Sequence, residues 1–304
     1  MAKIQCNVIS YTLLRTVDIE IILPSVTIPE SMKKMNGQDI HHDYTKKYPV
    51  LYLLHGFGNN YCQWNGYTNI ELYAEERQIA VVLLSAENKN YLNTEQDKFE
   101  DFIENELQEF ITEVFPISKR KEDTYIAGLS MGGFGALYHG IKYNDKYQAI
   151  GAFSPAIKMD NLSVDLFKLI DVTKVNNKIF ISCGENDFLY DLNVQFVDKL
   201  KENKIDYTWI SAANYKHEWR FWDLSVERFL DWIERRDVYA NKKKKCLVKR
   251  NKSIIHICQI GSLFQMVNHM YLMIDYISTA LMIVMVEMFI AWNHMYVGLH
   301  LLMI

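Results

Sequence analysis

Ile126-Ala-Gly-Leu-Ser-Met-Gly-Gly133 decides how this chain is read. Its core, Gly128-Leu129-Ser130-Met131-Gly132, fits the pattern Gly-x-Ser-x-Gly. Upstream, Asp123-Thr-Tyr-Ile-Ala-Gly128 is a short apolar run of buried-strand type. Downstream, Gly132 to Ile141 reads as a helix. A serine between a strand and a helix, flanked by glycines, is the context of a nucleophile elbow. The turn is tight, and a side chain at either glycine would meet the strand or the helix. The serine then stands at a helix N-terminus, where the dipole favours developing negative charge. The plain structural alternative is a glycine-rich turn whose serine only caps the helix.

Working outward, strands and helices alternate. Val8 to Leu23 is strand-like, in two apolar runs split at Arg15-Thr16. Pro49 to Leu54, Ile79 to Ser85, Tyr147 to Phe153, Lys178 to Cys183 and Tyr207 to Ala212 are further strands. Phe99 to Phe115 carries apolar residues at helical spacing and stops before Pro116. Leu192 to Glu202 and Trp222 to Arg235 complete the helices. Residues 33–47 are polar and contain Asn36-Gly37, which predicts a surface loop. This alternation implies an α/β fold, with a mostly parallel sheet covered on both faces.

Attack by a serine requires a base and an acid that orients it. Behind an elbow, the acid and the histidine follow the serine in the chain. Between Ser130 and residue 240 the histidines are His139 and His217. His139 falls inside the helix after the serine, whereas His217 falls in a loop after the sixth strand. His217 is therefore the expected base. The loop after the fifth strand offers Glu185, Asp187 and Asp191. Asp187 is the expected acid, and Asp191 is placed as a helix cap. An oxyanion hole needs backbone N–H donors. Met131 supplies one, and the loop His55-Gly56-Phe57-Gly58 supplies the other, from Phe57 or alternatively Gly58. His55 is read as a residue that orients this loop. Gly58, Trp64 and Trp219 are expected to line the substrate site. For the tryptophans the competing reading is plain core packing.

The motifs together resemble the esterase D and tributyrin esterase group of α/β-hydrolases, which is related to S-formylglutathione hydrolases and to feruloyl and acetyl esterases. The resemblance spans residues 2–235. It rests on Pro49-Val-Leu-Tyr-Leu-Leu-His-Gly56, Thr68-Asn-Ile-Glu71, Ile126 to Gly133, Cys183-Gly-Glu-Asn-Asp-Phe-Leu-Tyr190 and His217-Glu-Trp-Arg-Phe-Trp-Asp223. It implies an α/β-hydrolase fold with a small cap and a triad of Ser130, Asp187 and His217. It also implies Phe57 and Met131 as oxyanion donors, no cofactor, and hydrolysis of short-chain acyl esters, some of them on sugars. S-formylglutathione hydrolysis and acyl transfer are the alternative activities. A catalytically silent binding protein is the non-enzymatic one. Two departures stand out: Lys216 occupies a position where the family usually has glycine, and the stretch from Ser154 to Lys178 is short.

Charge and composition narrow the setting. The 304 residues carry a net charge of −4, which gives no reason to expect a nucleic-acid partner. The expected partner is a small-molecule ester, and self-association into a homo-oligomer is compatible with the sequence. The five cysteines are scattered, with no Cys-x-x-Cys pair, so neither a disulfide framework nor a metal site is expected. The first residues lack a basic region followed by an apolar run, which points to a cytoplasmic protein. Near residue 240 the character changes. Residues 242–252 carry seven Lys or Arg, and residues 253–304 carry no Lys, Arg or Pro. The catalytic domain is therefore expected to span 1–240, with a tail at 241–304. Three readings compete for that tail: a membrane anchor through Met288 to Ile304, a docking segment, and a non-native extension.

Overall fold

The computed structural model describes residues 1–158 and 164–240. The three readings of the tail lie outside the described residues. Alternating apolar residues Ala2, Ile4, Cys6 and Val8 put one face of β1 (Ala2–Ser10) against the core and leave Lys3, Gln5 and Asn7 in solvent. It pairs antiparallel with β2 (Arg15–Leu23), Cys6 opposite Ile19. The hairpin turn falls at residues 11–14, with Leu14 at φ 53°, and Arg15 opens β2. This corrects the sequence reading, which split the strands at Arg15-Thr16 and missed the start of β1. Tyr11-Thr-Leu-Leu14 has no Gly, Pro or Asn to mark a turn.

The remaining strands are β3 (Val50–Leu54), β4 (Ala80–Leu84), β5 (Thr124–Leu129), β6 (Ala149–Phe153), β7 (Lys178–Gly184) and β8 (Tyr207–Ala212). The sheet order is β1-β2-β4-β3-β5-β6-β7-β8. β2 meets β4 antiparallel, and β3 to β8 run parallel to one another. β3 to β6 are buried at every position, as strands covered on both faces must be.

Two apolar clusters sandwich the sheet. One contains Tyr52, Ile126, Ile150 and Phe134. The other contains Leu53, Ala127, Phe180, Val226 and Phe229. The helix Trp219–Trp232 buries Phe221, Trp222, Val226, Phe229 and Leu230 in the second cluster. It starts and stops three residues before the span read from sequence. The helix Ile70–Arg77 also serves that cluster and was not read from the sequence. Its buried stripe is Ile70, Tyr73, Ala74 and Arg77, so an arginine sits where an apolar residue is expected. Arg77 is tolerated there because its Nη2 pairs with Asp231 at 2.7 Å. The helical run from Phe99 to Val114 passes through a wider π-type stretch, Phe102–Leu107, and buries Glu100, Glu104 and Glu106.

The chain beyond the last helix stays attached to this body. Tyr239 stacks on Tyr48 at 4.7 Å, and its hydroxyl donates to the Lys46 carbonyl at 3.2 Å. Arg235 and Asp237 pair at 2.7 Å, both largely buried. We propose that the catalytic domain is self-sufficient to residue 240. A chain ending at Ala240 is expected to keep a cooperative thermal unfolding transition and full ester hydrolysis. Loss of either on that truncation would place the boundary later.

Candidate active site

β5 ends at Leu129, and the helix Met131–Lys142 begins two residues on. Ser130, between them, holds φ 51° and ψ −116°, a conformation that L-residues seldom adopt. Three bonds fix it. The Ser130 N–H donates to the Phe153 carbonyl at 2.9 Å, and the Ser130 carbonyl accepts from the N–H groups of Phe134 and Ala156 at 3.0 Å each. The glycines permit the crossing. A Cβ on Gly132 would stand 2.4 Å from the Leu54 carbonyl oxygen, and one on Gly128 would stand 2.3 Å from the Gly132 oxygen. The elbow thus rests directly on the carboxyl end of β3.

The loops at the carboxyl ends of β7 and β8 bring two side chains to the serine. His217 Nε2 lies 3.0 Å from Ser130 Oγ, and His217 Nδ1 lies 2.8 Å from Asp187 Oδ2. The two loops are tied together by their backbones: Glu185 N–H donates to Ala212 and Asn186 N–H to Tyr215, each at 3.0 Å. Asp187 has no exposed side-chain surface, while the His217 side chain is 19% exposed. Burial raises the Asp187 carboxyl, but hydrogen bonds from His217 and the Leu189 N–H outweigh it, and the net shift is downward. Asp187 is thereby an ionised acceptor for Nδ1–H. Burial and the Asp187 charge push the neighbouring Cys183 thiol up to about 12, so it stays neutral.

Of the other carboxylates considered for the acid, Glu185 accepts from the Ser211 hydroxyl at 2.6 Å and is turned to solvent. Asp191 stands inside the first turn of the helix Tyr190–Glu202, whose cap is Leu189, so it is not the cap expected of it. His139 is fully buried, with Nδ1 on Glu104 Oε1 and Nε2 on the Tyr91 carbonyl, both at 2.7 Å.

Two N–H groups face no partner among the described residues. Met131 opens its helix, so its N–H has no carbonyl one turn back. Phe57 lies exposed on the loop after β3. Gly58, the alternative donor expected from sequence, is corrected in that role, because its N–H donates to Asn88 Oδ1 at 2.7 Å. His55 is buried, its Nδ1 on the Gly56 carbonyl at 2.7 Å and its Nε2 accepting from the Ala86 N–H at 2.9 Å. That Nε2 accepts requires Nδ1 to carry the proton, and burial pushes the imidazole down, towards the neutral form.

Trp64 does not line the site, contrary to expectation. It is fully buried, and its indole N–H is spent on the Leu54 carbonyl at 3.1 Å. Apolar character alone could not distinguish this core position from a wall. Trp219 stands between Trp64 and Trp222 and stacks on the exposed Tyr67 at 5.1 Å. Two rings flank His217: Phe188, which the sequence leaves without a role, at 4.7 Å, and Trp222, which the sequence offers as a pocket wall, at 4.8 Å from its ring. Phe188 is 78% exposed. A cleft of about 650 Å³ lined by Lys46, Lys47, Arg120 and Asp123 opens at the amino ends of β3 and β5, away from Ser130. Among the described residues no three His, Cys, Asp or Glu side chains cluster as metal ligands would.

A profile of the Esterase family, described as "Putative esterase", matches residues 30–257. The chain belongs to the Esterase family. An acetyl esterase of Caldicellulosiruptor saccharolyticus is 32% identical to it over 271 residues, covering 77% of this chain and 99% of the relative. Among solved structures, the Staphylococcus aureus fluorophosphonate-binding serine hydrolase F is 27% identical with a TM-score of 0.65. The S-formylglutathione hydrolase of the same organism is 26% identical with a TM-score of 0.66. Each of these two alignments covers 76% of this chain and 98% of the other. This esterase is thus a serine carboxylesterase on the α/β-hydrolase fold, as the sequence motifs implied. Among its described residues no helix is long and apolar enough to cross a membrane.

The contact of the elbow on β3 generates a prediction for this esterase. Gly132→Ala forces a methyl into the Leu54 and His55 carbonyls. It is expected to destabilise the fold by roughly 1–3 kcal/mol, read as a lowered Tm. An unchanged Tm would show that the elbow and β3 are not in the contact described.

Proposed function

We propose that Ser130 is the nucleophile of this esterase, His217 its general base and Asp187 the residue that orients the base. The observation that carries the reading is the continuous bonding path from Asp187 through His217 to Ser130. The His217 Nδ1–H donates to the Asp187 carboxylate, which leaves the Nε2 lone pair for the Ser130 hydroxyl. Ser130 Oγ attacks the ester carbonyl as its proton passes to Nε2. The tetrahedral oxyanion sits against the N–H groups of Phe57 and Met131. Collapse breaks the acyl–oxygen bond, and the alkoxide leaves with the proton from His217. Water then attacks the acyl-enzyme by the same route and releases the carboxylic acid, regenerating Ser130.

For the substrate we propose short-chain acyl esters, acetyl to butyryl, acetylated sugars among them. The acetyl esterase relative and the motifs shared with tributyrin esterases support this. With p-nitrophenyl esters of increasing acyl length, kcat/KM is expected to be highest from two to four carbons. A clear preference for long chains would refute it. S-formylglutathione belongs in the same panel, since one structural neighbour carries that name.

Ser130→Ala is expected to keep the fold and lose about 10⁴- to 10⁶-fold in turnover. Near-normal hydrolysis by that folded variant would remove the mechanism. The pH dependence has a defined sign. A protonated His217 has no lone pair for the Ser130 proton, so hydrolysis falls on acidification. Asp187, held below the ordinary carboxylate value, remains ionised as this happens. A rate that instead rose on acidification would contradict the assignment of His217 as base.

A further inference from the structure

The loop between β4 and the helical run at Phe99 holds an unusual backbone. Glu87, Asn88, Asn90 and Tyr91 all have positive φ, at 49°, 59°, 56° and 63°. Asparagine visits this region readily, but a bulky aromatic residue does so only where its surroundings impose it. The surroundings of Tyr91 are specific. Its ring is fully buried against the elbow helix, so close that a Cβ on Gly135 would come within 2.6 Å of it. Its hydroxyl donates to the His55 carbonyl at 2.7 Å. Its own carbonyl accepts from His139 Nε2 at 2.7 Å. His139, in the elbow helix, is held from its other side by the buried Glu104.

These bonds tie the Phe57 loop to the elbow helix a second time, beyond the direct β3–β5 pairing that ends at Leu54 and Gly128. From the elbow helix, His139 fixes Tyr91, and Tyr91 fixes His55 at the base of the loop that carries Phe57. From the same strained loop, Asn88 Oδ1 accepts from the Gly58 N–H, and the Ala86 N–H donates to His55 Nε2. The loop bearing one proposed oxyanion donor, Phe57, is thus clamped on both sides of that residue. The clamp is anchored on the helix bearing the other donor, Met131. With the Gly58 N–H drawn to Asn88, the Phe57 N–H is left unpaired among the described residues.

We propose that Tyr91 and Asn88 are positioning residues that hold the Phe57 and Met131 N–H groups in register, with His139 as the anchor of Tyr91. None of them touches the reacting atoms. The inference rests on the reading of Ser130 as nucleophile and of these two N–H groups as the oxyanion hole. Donors that stabilise developing charge act on the transition state, so their displacement lowers kcat and leaves substrate binding nearly unchanged.

Two conservative variants test it. Tyr91→Phe removes only the hydroxyl and keeps the buried ring. Asn88→Gly removes the acceptor from an exposed position and tolerates the left-handed backbone. Each is expected to lower kcat for an acetyl ester about 10- to 100-fold with KM within about threefold, and to slow fluorophosphonate labelling of Ser130 in parallel. Tm serves as the control for a merely structural effect. Should Tyr91→Phe fail to fold, Asn88→Gly carries the comparison alone. Folded variants with unchanged kcat, or with the loss confined to KM, overturn the proposal, while a silent Ser130→Ala leaves the nucleophile assignment standing. An active Ser130→Ala would overturn both.

Discussion

Everything at the site depends on one strained residue. Ser130 occupies a backbone conformation that costs about 1–3 kcal/mol, and it does so because the chain must reverse from strand to helix within a single residue. Hydrogen bonds to Phe153, Phe134 and Ala156 hold that conformation from β6 and from the elbow helix itself. Gly128 and Gly132 give the room, since any side chain at either would collide with backbone. The reversal leaves the Oγ standing above the carboxyl edge of the sheet, beside a helix start whose first N–H has no partner among the described residues. The proposed nucleophile and one proposed oxyanion donor are therefore products of the same turn.

The rest of the site is assembled around that fixed point by loops at the same edge of the sheet. Parallel strands place β3, β5, β7 and β8 with their carboxyl ends together. The loop after β7 buries Asp187, and the loop after β8 delivers His217 to it. The backbone bonds between those loops set the spacing, and the rings of Phe188 and Trp222 restrict the tilt of the imidazole. Lys216, where the family usually has glycine, is accommodated because its side chain is exposed and its N–H donates to Glu218 Oε1. The substitution leaves the His217 bonds in place.

Much of this was legible in the sequence because it is local. Gly-x-Ser-x-Gly between an apolar strand and a helix needs no knowledge of distant contacts, and chain order then singles out His217 and the Asp187 loop. What was not legible depends on long-range packing. Whether the Gly58 N–H is free depends on Asn88, thirty residues away. Trp64 has the same apolar character in a core as in a pocket wall. Arg77 disguised a buried helical stripe because its partner, Asp231, lies on another helix. Phe188 and Trp222 carry no sequence signal for their contact with His217; only their nearness to Asp187 and His217 in the chain hinted at it.

The central claim, that Ser130 is the nucleophile, is tested most directly by where a covalent probe lands. After reaction with an aryl fluorophosphonate, tryptic digestion and mass spectrometry should find the adduct on the peptide Glu122 to Lys142, at Ser130, with ester hydrolysis lost in proportion to labelling. An adduct at another serine, or full hydrolysis by protein fully labelled at Ser130, would contradict the account.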